Sequence, residues 1–254
     1  MTATQILTLV AAAFGGGVMN AMAGGGTILT FPTLVFLGMP TIQANATSTV
    51  ALVPGAMSSM AGYRNEVWQN RSWLKTLFLP SLIGGTVGSV LLLRTPEQTF
   101  EMLAPILILF ATVLFMLRGF LSKRFAPSEG PSTAKWVVAV LLQFGVAVYG
   151  GYFGAGIGIL MLALLGFLGL TDIHAMNGLK NFFGVCINSV AAGYFILMGA
   201  VSWPEALILA VGAILGGYSG ARFARIIGQE KARTAVVVIG LLVTGLLAWQ
   251  QLRP

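Results

Sequence analysis

Charged residues are scarce in this chain, and cysteine and histidine are almost absent. Asp, Glu, Lys and Arg make up 8% of the 254 residues, whereas a soluble domain carries about 25%. Cys186 is the only cysteine and His174 is the only histidine. A single cysteine excludes an intrachain disulfide and a cysteine metal cluster, and a single histidine argues against a zinc or haem site.

Motifs that support catalysis are also missing. The sequence has no Gly-rich nucleotide-binding loop that ends in Lys-Ser or Lys-Thr, so ATP is not expected to drive the protein directly. Its apolar segments hold no paired carboxylates of the kind that indicates a metal or a proton wire. We therefore predict no catalytic residue, no metal site and no cofactor, and we predict that the protein is not an enzyme.

Apolar residues dominate the composition instead. They form 57% of the chain, and the mean hydropathy is +0.89. Apolar runs of about 20 residues recur, and such a run spans a bilayer as a helix. We therefore predict an all-α polytopic membrane protein whose apolar segments lie near 4–22, 27–38, 44–63, 72–93, 98–121, 135–152, 159–170, 174–199, 203–222 and 232–251.

The two halves of the chain resemble each other in order and spacing. Short matches recur at offsets of 130 to 132 positions, which predicts an internal duplication. The predicted units are an N-terminal repeat over 1–121, a linker over 122–134 and a C-terminal repeat over 135–254. The matches are Ile42-Gln43-Ala44 with Ile173-His174-Ala175, Ala61-Gly62-Tyr63 with Ala192-Gly193-Tyr194, Ser72-Trp73 with Ser202-Trp203, and Gly84-Gly85 with Gly216-Gly217.

Basic residues in the loops predict the topology. The net charge of +7 fits cytoplasmic loops that follow the positive-inside rule better than it fits nucleic-acid binding. This rule places both termini outside a plasma (inner) membrane. The linker follows an odd number of segments, so the second repeat is inverted relative to the first. The basic clusters are Arg64, Arg71 and Lys75; Arg118, Lys123, Arg124 and Lys135; and Arg222, Arg225, Lys231 and Arg233.

A glycine-rich break interrupts each half at a matching position. Glycine lets backbone amides approach a ligand closely, and a helix that starts after the break presents free amides to an anion. The segments that follow hold about 12 residues, or about 18 Å of helix, which favours half-helices or re-entrant elements and a total of about eight to ten membrane helices. The alternative is close helix packing by small residues. The predicted binding glycines are Gly24, Gly25, Gly26, Gly154, Gly156 and Gly158.

Lys180 lies within an otherwise apolar segment. A lysine at mid-membrane costs about 2.5–3.5 kcal/mol on insertion scales, so it is a functional candidate by default; the alternative is a side chain that extends to the membrane interface. Asn177 and Asn181 are four positions apart and lie on one helix face, with Lys180 nearby. The first half offers a further set of polar residues, which we expect either to bind an anion with Lys180 and these two asparagines or to join helices. This set is Thr27, Asn45, Thr47 and Ser48.

In these motifs the chain resembles the sulfite exporter TauE/SafE family of membrane permeases. The resemblance rests on Ala23-Gly24-Gly25-Gly26, Ala44-Asn45-Ala46-Thr47-Ser48, Phe153-Gly154-Ala155-Gly156-Ile157-Gly158 and Ala175-Met176-Asn177-Gly178-Leu179-Lys180. It implies secondary transport of a small anion, chiefly sulfite, a sulfonate or a related organosulfur compound, across the plasma membrane. Many relatives carry Pro where this chain has Ala155.

These observations favour a secondary anion transporter that works by alternating access of two inverted repeats around a midplane site. The expected partners are the small anion, the lipid bilayer and a coupling ion, either a proton or sodium, and an oligomer is compatible with the sequence. A channel-like anion pore and a membrane assembly module without transport activity are the alternatives. Saturable flux distinguishes the carrier from both.

Overall fold

The computed structural model describes residues 1–61, 63–124, 133–227 and 229–252, and the regular structure in these ranges is entirely α-helical. Ten helices correspond to the ten predicted segments, and the short α4 is an addition that hydropathy did not predict. The helices are α1 (Ala3–Ala23), α2 (Thr27–Phe36), α3 (Thr41–Ala61), α4 (Arg64–Gln69), α5 (Arg71–Arg94), α6 (Glu97–Arg124), α7 (Thr133–Tyr152), α8 (Ile157–Phe167), α9 (Ile173–Leu197), α10 (Trp203–Ile227) and α11 (Gln229–Leu252).

The predicted linker is shorter than 122–134 in the structure. Helix α6 continues to Arg124 and α7 begins at Thr133. The remaining linker residues, 125–132, lie outside the described part of the chain. Apart from α4, the two halves have the same order: a long helix, a short helix after a glycine break, and three further long helices.

Polar residues set where several helices begin. Thr2 and Gln5 form a capping box at the start of α1, which satisfies two amide donors that the helix leaves open. Asp172 caps α9 by accepting a hydrogen bond from the amide of His174 at 2.9 Å. Glu97 at the start of α6 accepts hydrogen bonds from the hydroxyl of Thr41 and from the amide of Ile42, and so ties α6 to the start of α3.

The halves pack against each other in a reciprocal pattern. Helix α1 of the first half lies along α10 of the second, and α7 of the second half lies along α5 of the first. Glycines permit both approaches: a Cβ at Gly216 would lie 2.1 Å from the Phe14 carbonyl oxygen, and one at Gly88 would lie 2.1 Å from that of Val148. These glycines therefore serve close helix packing.

Within the described residues, four helices are long and apolar enough to cross a bilayer: Ala3–Ala21, Arg71–Arg94, Glu97–Leu117 and Ile173–Leu197. Apolar side chains cover much of the outer surface, and Leu79, Ile106 and Leu207 are each about 60% exposed. Such a surface suits acyl chains better than water. The protein is therefore a multi-pass helical membrane protein.

Candidate functional site

The first glycine break separates α1 from α2. Gly24 has a φ of +74° and donates its amide hydrogen to the Asn20 carbonyl at 3.1 Å, which ends α1. Side chains other than glycine rarely adopt this left-handed conformation. Helix α2 then starts at Thr27, and no side chain caps its N-terminus.

The second break separates α7 from α8 and has two left-handed glycines. Gly154 has a φ of +81° and Gly156 has a φ of +74°. The Tyr149 hydroxyl on α7 donates a hydrogen bond to the Ala155 carbonyl at 2.6 Å. This side chain therefore holds the turn between the two glycines. Helix α8 begins at Ile157, and again no side chain caps its N-terminus.

The two breaks contact each other. A Cβ at Gly24 would lie 2.8 Å from both the Cα and the amide nitrogen of Gly158. No side chain fits between the two backbones, so glycine is needed here for both conformation and space. The end of α1 therefore meets the first turn of α8.

A small cavity of about 20 Å³ lies beside this contact. It has room for about one water-sized group. Its polar lining comes from α1 and α9, and its other walls are apolar or glycine. The lining residues are Asn20, Gly24, Ala56, Ile157, Gly158, Met161, Lys180, Asn181, Gly184 and Asn188.

Lys180 lies in this wall with 2% of its surface exposed. Its Nζ lies 3.5 Å from the carbonyl oxygen of Ala21, near the C-terminal end of α1. A cation is stabilised at that end of a helix, where the dipole is negative. The side chain is thus buried at the junction of the two halves rather than extended to the protein surface.

Asn181, next to Lys180, is 7% exposed and has a buried Nδ2 without a hydrogen-bond partner among the described residues. The buried Oδ1 of Asn177 likewise has no hydrogen-bond partner among the described residues. A buried polar group without a partner costs about 1–3 kcal/mol. Of the two, only Asn181 lines the cavity, where a ligand or a water molecule can satisfy its amide.

Asn45 makes a second contact between the halves. It is 1% exposed, and its Nδ2 donates to the Tyr152 carbonyl, the last residue of α7, at 3.0 Å. Helix α3 thus holds the end of α7, much as α9 brings Lys180 to the end of α1. Asn45 does not line the cavity.

Thr47 and Ser48 make structural hydrogen bonds away from the cavity. Thr47 accepts a hydrogen bond from the Ser202 amide at 3.0 Å, just before α10 begins. Ser48 and Thr30 share a hydrogen bond of 2.6 Å between α3 and α2. Thr47 thus contacts the residue before α10, and Ser48 contacts α2.

The other predicted glycines and Thr27 also lie outside the cavity lining. A Cβ at Gly25 would lie 2.4 Å from the Phe115 ring, and one at Gly26 would lie 2.6 Å from the Gly16 carbonyl oxygen. The Thr27 hydroxyl instead lies beside Gly154, across the junction of the breaks. Of the predicted set, the structure brings Gly24, Gly158, Lys180 and Asn181 together around the cavity.

Two asparagines of the cavity were missing from the predicted set. Asn20 is a polar residue in the last turns of an apolar helix, four positions before Gly24, and this isolation was its only signal in the sequence. Asn188 lies two turns beyond Asn181 on α9. Their shared position became evident only when α1 and α9 were placed against α8.

Fold and site together define a multi-pass helical membrane protein with a buried, partly polar cavity between two interrupted helices. The chain belongs to the sulfite exporter TauE/SafE family, whose model matches residues 9–247. The family confirms the resemblance that the glycine and asparagine motifs indicated.

Several relatives match this chain over almost its full length. A probable membrane transporter protein of Haemophilus influenzae is 28% identical over 243 residues, which span 92% of this chain and 90% of that protein. A probable membrane transporter protein of Sinorhizobium, ORF9, is 26% identical over 92% of this chain and 88% of its own. The probable membrane transporter protein YfcA of Escherichia coli K12 is 26% identical over 92% and 86%. These similarities indicate a membrane transporter.

Proposed function

We propose that this protein is a secondary transporter of a small oxyanion, such as sulfite or a sulfonate. The observation that carries the proposal is the buried Lys180 ammonium in the wall of a cavity where two helix breaks meet. A buried cation is stable only with partners. The Ala21 carbonyl oxygen lies 3.5 Å from its Nζ, and an anion in the cavity would pair with its positive charge.

The groups around Lys180 suit an oxyanion. Asn181 presents an Nδ2 without a partner, and the backbone of Gly158 in the first turn of α8 adjoins Gly24. Amides near a helix N-terminus attract negative charge. One cation, amide donors and a helix start together recognise an anion without any further charged side chain.

The cavity is too small for sulfite in this conformation, because about 20 Å³ accommodates little more than one water. Binding therefore requires the walls to separate. The walls come from both halves, so a rocking motion of one half against the other would open the cavity. The reciprocal packing of α1 with α10 and of α7 with α5 supports two such units as inverted repeats.

The loop charges support an orientation for these repeats. With the basic clusters on the cytoplasmic side of the inner membrane, both termini lie outside. The division into residues 1–121 and 135–254 follows from the same repeat. Accessibility labelling of single cysteines introduced near Thr2 and in the linker, in a Cys186→Ser background, tests this orientation.

Flux measurements in proteoliposomes test the proposed function. We expect saturable uptake of labelled sulfite or of a labelled sulfonate, reduced at least about ten-fold in Lys180→Met because the positive charge is lost. Lys75→Met is the matched control, since Lys75 is exposed at the start of α5. Wild-type flux in Lys180→Met at equal reconstitution contradicts the role of Lys180.

The same measurements separate the transporter from its alternatives. Flux that rises without saturation indicates an anion pore. No flux and no stabilisation of the purified protein by any of a panel of small anions indicates an assembly module, because a ligand that binds the native state raises its apparent stability.

A further inference from the structure

A group of oxygen atoms surrounds Gly154 on the side of the second break that faces Thr27. From the position that a Cβ on Gly154 would occupy, the Gly150 carbonyl oxygen is 3.1 Å away, Asn188 Oδ1 is 3.7 Å away and Thr27 Oγ1 is 3.9 Å away. Apart from Gly154 itself and the two residues next to it in sequence, these are the nearest atoms, and all three are oxygens. At most other glycines of the structure the neighbours include carbon or nitrogen atoms.

The break itself releases the Gly150 carbonyl from the helix. In a continuing α-helix the amide of Gly154 would donate to Gly150. It donates instead to the Tyr149 carbonyl at 3.2 Å, which also accepts from Phe153 at 2.9 Å. The Gly150 oxygen thereby loses its helical donor and is available to another ligand.

The chemistry of the three oxygens selects a small monovalent cation. A carbonyl, an amide and a hydroxyl oxygen are hard, neutral ligands. Divalent Ca²⁺ and Mg²⁺ sites usually include carboxylates, and none is among the three. None of the three groups titrates near neutral pH, so a proton is not the expected occupant.

We propose that Gly150, Thr27 and Asn188 bind a sodium ion beside Gly154. Interrupted helices of membrane transporters often coordinate Na⁺ through unwound carbonyls and helix C-terminal ends. The ligands come from α7, α2 and α9, so the ion joins both halves of the chain. Backbone oxygens or water complete its coordination.

This cation site goes beyond the proposed anion transport and also offers a coupling mechanism. Asn188 contributes to the wall of the Lys180 cavity and lies beside Gly154. When the Asn188 amide oxygen points to a bound sodium ion, the amide nitrogen of the same side chain points away from the ion. Binding of the cation thus influences the donors that the anion meets.

Sodium-dependent stability tests the site without any oxyanion. Thermal unfolding of the purified full chain is followed in NaCl, KCl and choline chloride at constant chloride and ionic strength. We expect a saturable rise in Tm of about 3 °C or more with Na⁺ and little with the other cations. Thr27→Val, which replaces the hydroxyl by a methyl group, should raise the half-saturating Na⁺ concentration at least about ten-fold.

Thr33→Val is the matched control, because Thr33 also lies on α2 but its hydroxyl donates to the Leu29 carbonyl within the helix. It should retain the wild-type sodium response. If Thr27→Val proves unstable, binding of ²²Na⁺ to wild type and to Asn188→Leu provides the second measurement, and loss of binding in Asn188→Leu supports the site.

The outcomes separate this site from the anion proposal. Equal stabilisation by Na⁺, K⁺ and choline overturns the sodium site, as does an unchanged sodium response in Thr27→Val. Neither result bears on the proposal that anion flux depends on Lys180. Conversely, a sodium response in a protein without anion flux supports the cation site alone.

Discussion

The two glycine breaks both contain a left-handed glycine, but their electrostatic surroundings differ. At the first break, α9 places the Lys180 ammonium 3.5 Å from the Ala21 carbonyl. At the second, α3 places the neutral Asn45 amide 3.0 Å from the Tyr152 carbonyl, and three neutral oxygens adjoin Gly154. A cation thus lies at one break and neutral oxygen atoms lie at the other, and on our proposals the two breaks bind ions of opposite charge.

The largest effect is expected where the breaks touch. Gly24→Ala combines a strained φ of +74° with a Cβ that lies 2.8 Å from Gly158 backbone atoms, so we expect a loss of about 2–4 kcal/mol in the free energy of unfolding. Gly38→Ala is the control, because its φ is +90° but nothing lies within 4 Å of the added Cβ. If thermal unfolding shows the same loss of stability in both variants, the contact between the breaks does not contribute to stability.

Charge at the first break is the next comparison. Lys180→Arg keeps the positive charge but adds a planar group to a cavity of about 20 Å³, so we expect anion stabilisation to persist while the transport rate falls about ten-fold. Lys180→Met should lose both the stabilisation by anions and the transport. A thermal-shift titration with sulfite, beside proteoliposome flux, measures the two effects. Identical behaviour of the two variants would mean that shape rather than charge matters at this position.

The Asn45 contact at the second break should affect stability more than anion binding. Asn45→Leu leaves the Tyr152 carbonyl without its donor, and we expect a loss of about 1–3 kcal/mol. The concentration of anion that half-saturates flux should change less than about two-fold. A large rise in that concentration with normal stability would instead place Asn45 in the anion site.

The smallest effect is expected at Thr47, which lies away from both breaks. Thr47→Val removes the acceptor for the Ser202 amide, which costs about 1 kcal/mol, and flux per folded molecule should equal that of wild type. Thermal unfolding and flux normalised to reconstituted protein provide the test. Impaired flux at normal stability would support Thr47 as a binding residue.

Composition and periodicity were sufficient for most of the helices. The ten predicted apolar segments correspond to ten helices because lipid-facing and buried helices both need long apolar runs. Helix α4 was missed because Arg64–Gln69 is a short, polar helix that leaves no hydropathy signal. The predicted linker overlaps the ends of α6 and α7 because helices can extend beyond the apolar run that identifies them.

The candidate site residues were harder to predict than the helices. Lys180 and Asn181 were proposed because polar residues are costly in apolar segments, and the same reasoning also selected Thr47 and Ser48, which hydrogen-bond to Ser202 and Thr30 and do not line the cavity. Polar groups that join helices and polar groups that bind ligands have the same local sequence signal. Only the positions of their partners distinguish the two.

The sequence by itself determined that this is a helical membrane protein of two similar halves, each interrupted at glycines and with one lysine in an apolar helix. These properties depend on composition and on local backbone preference. The tertiary structure decided that Gly24 touches Gly158, that Lys180 reaches the end of α1, and that Thr27 and Asn188 meet beside Gly154. Those contacts join residues more than a hundred positions apart, and their geometry depends on how helices pack, which no local pattern encodes.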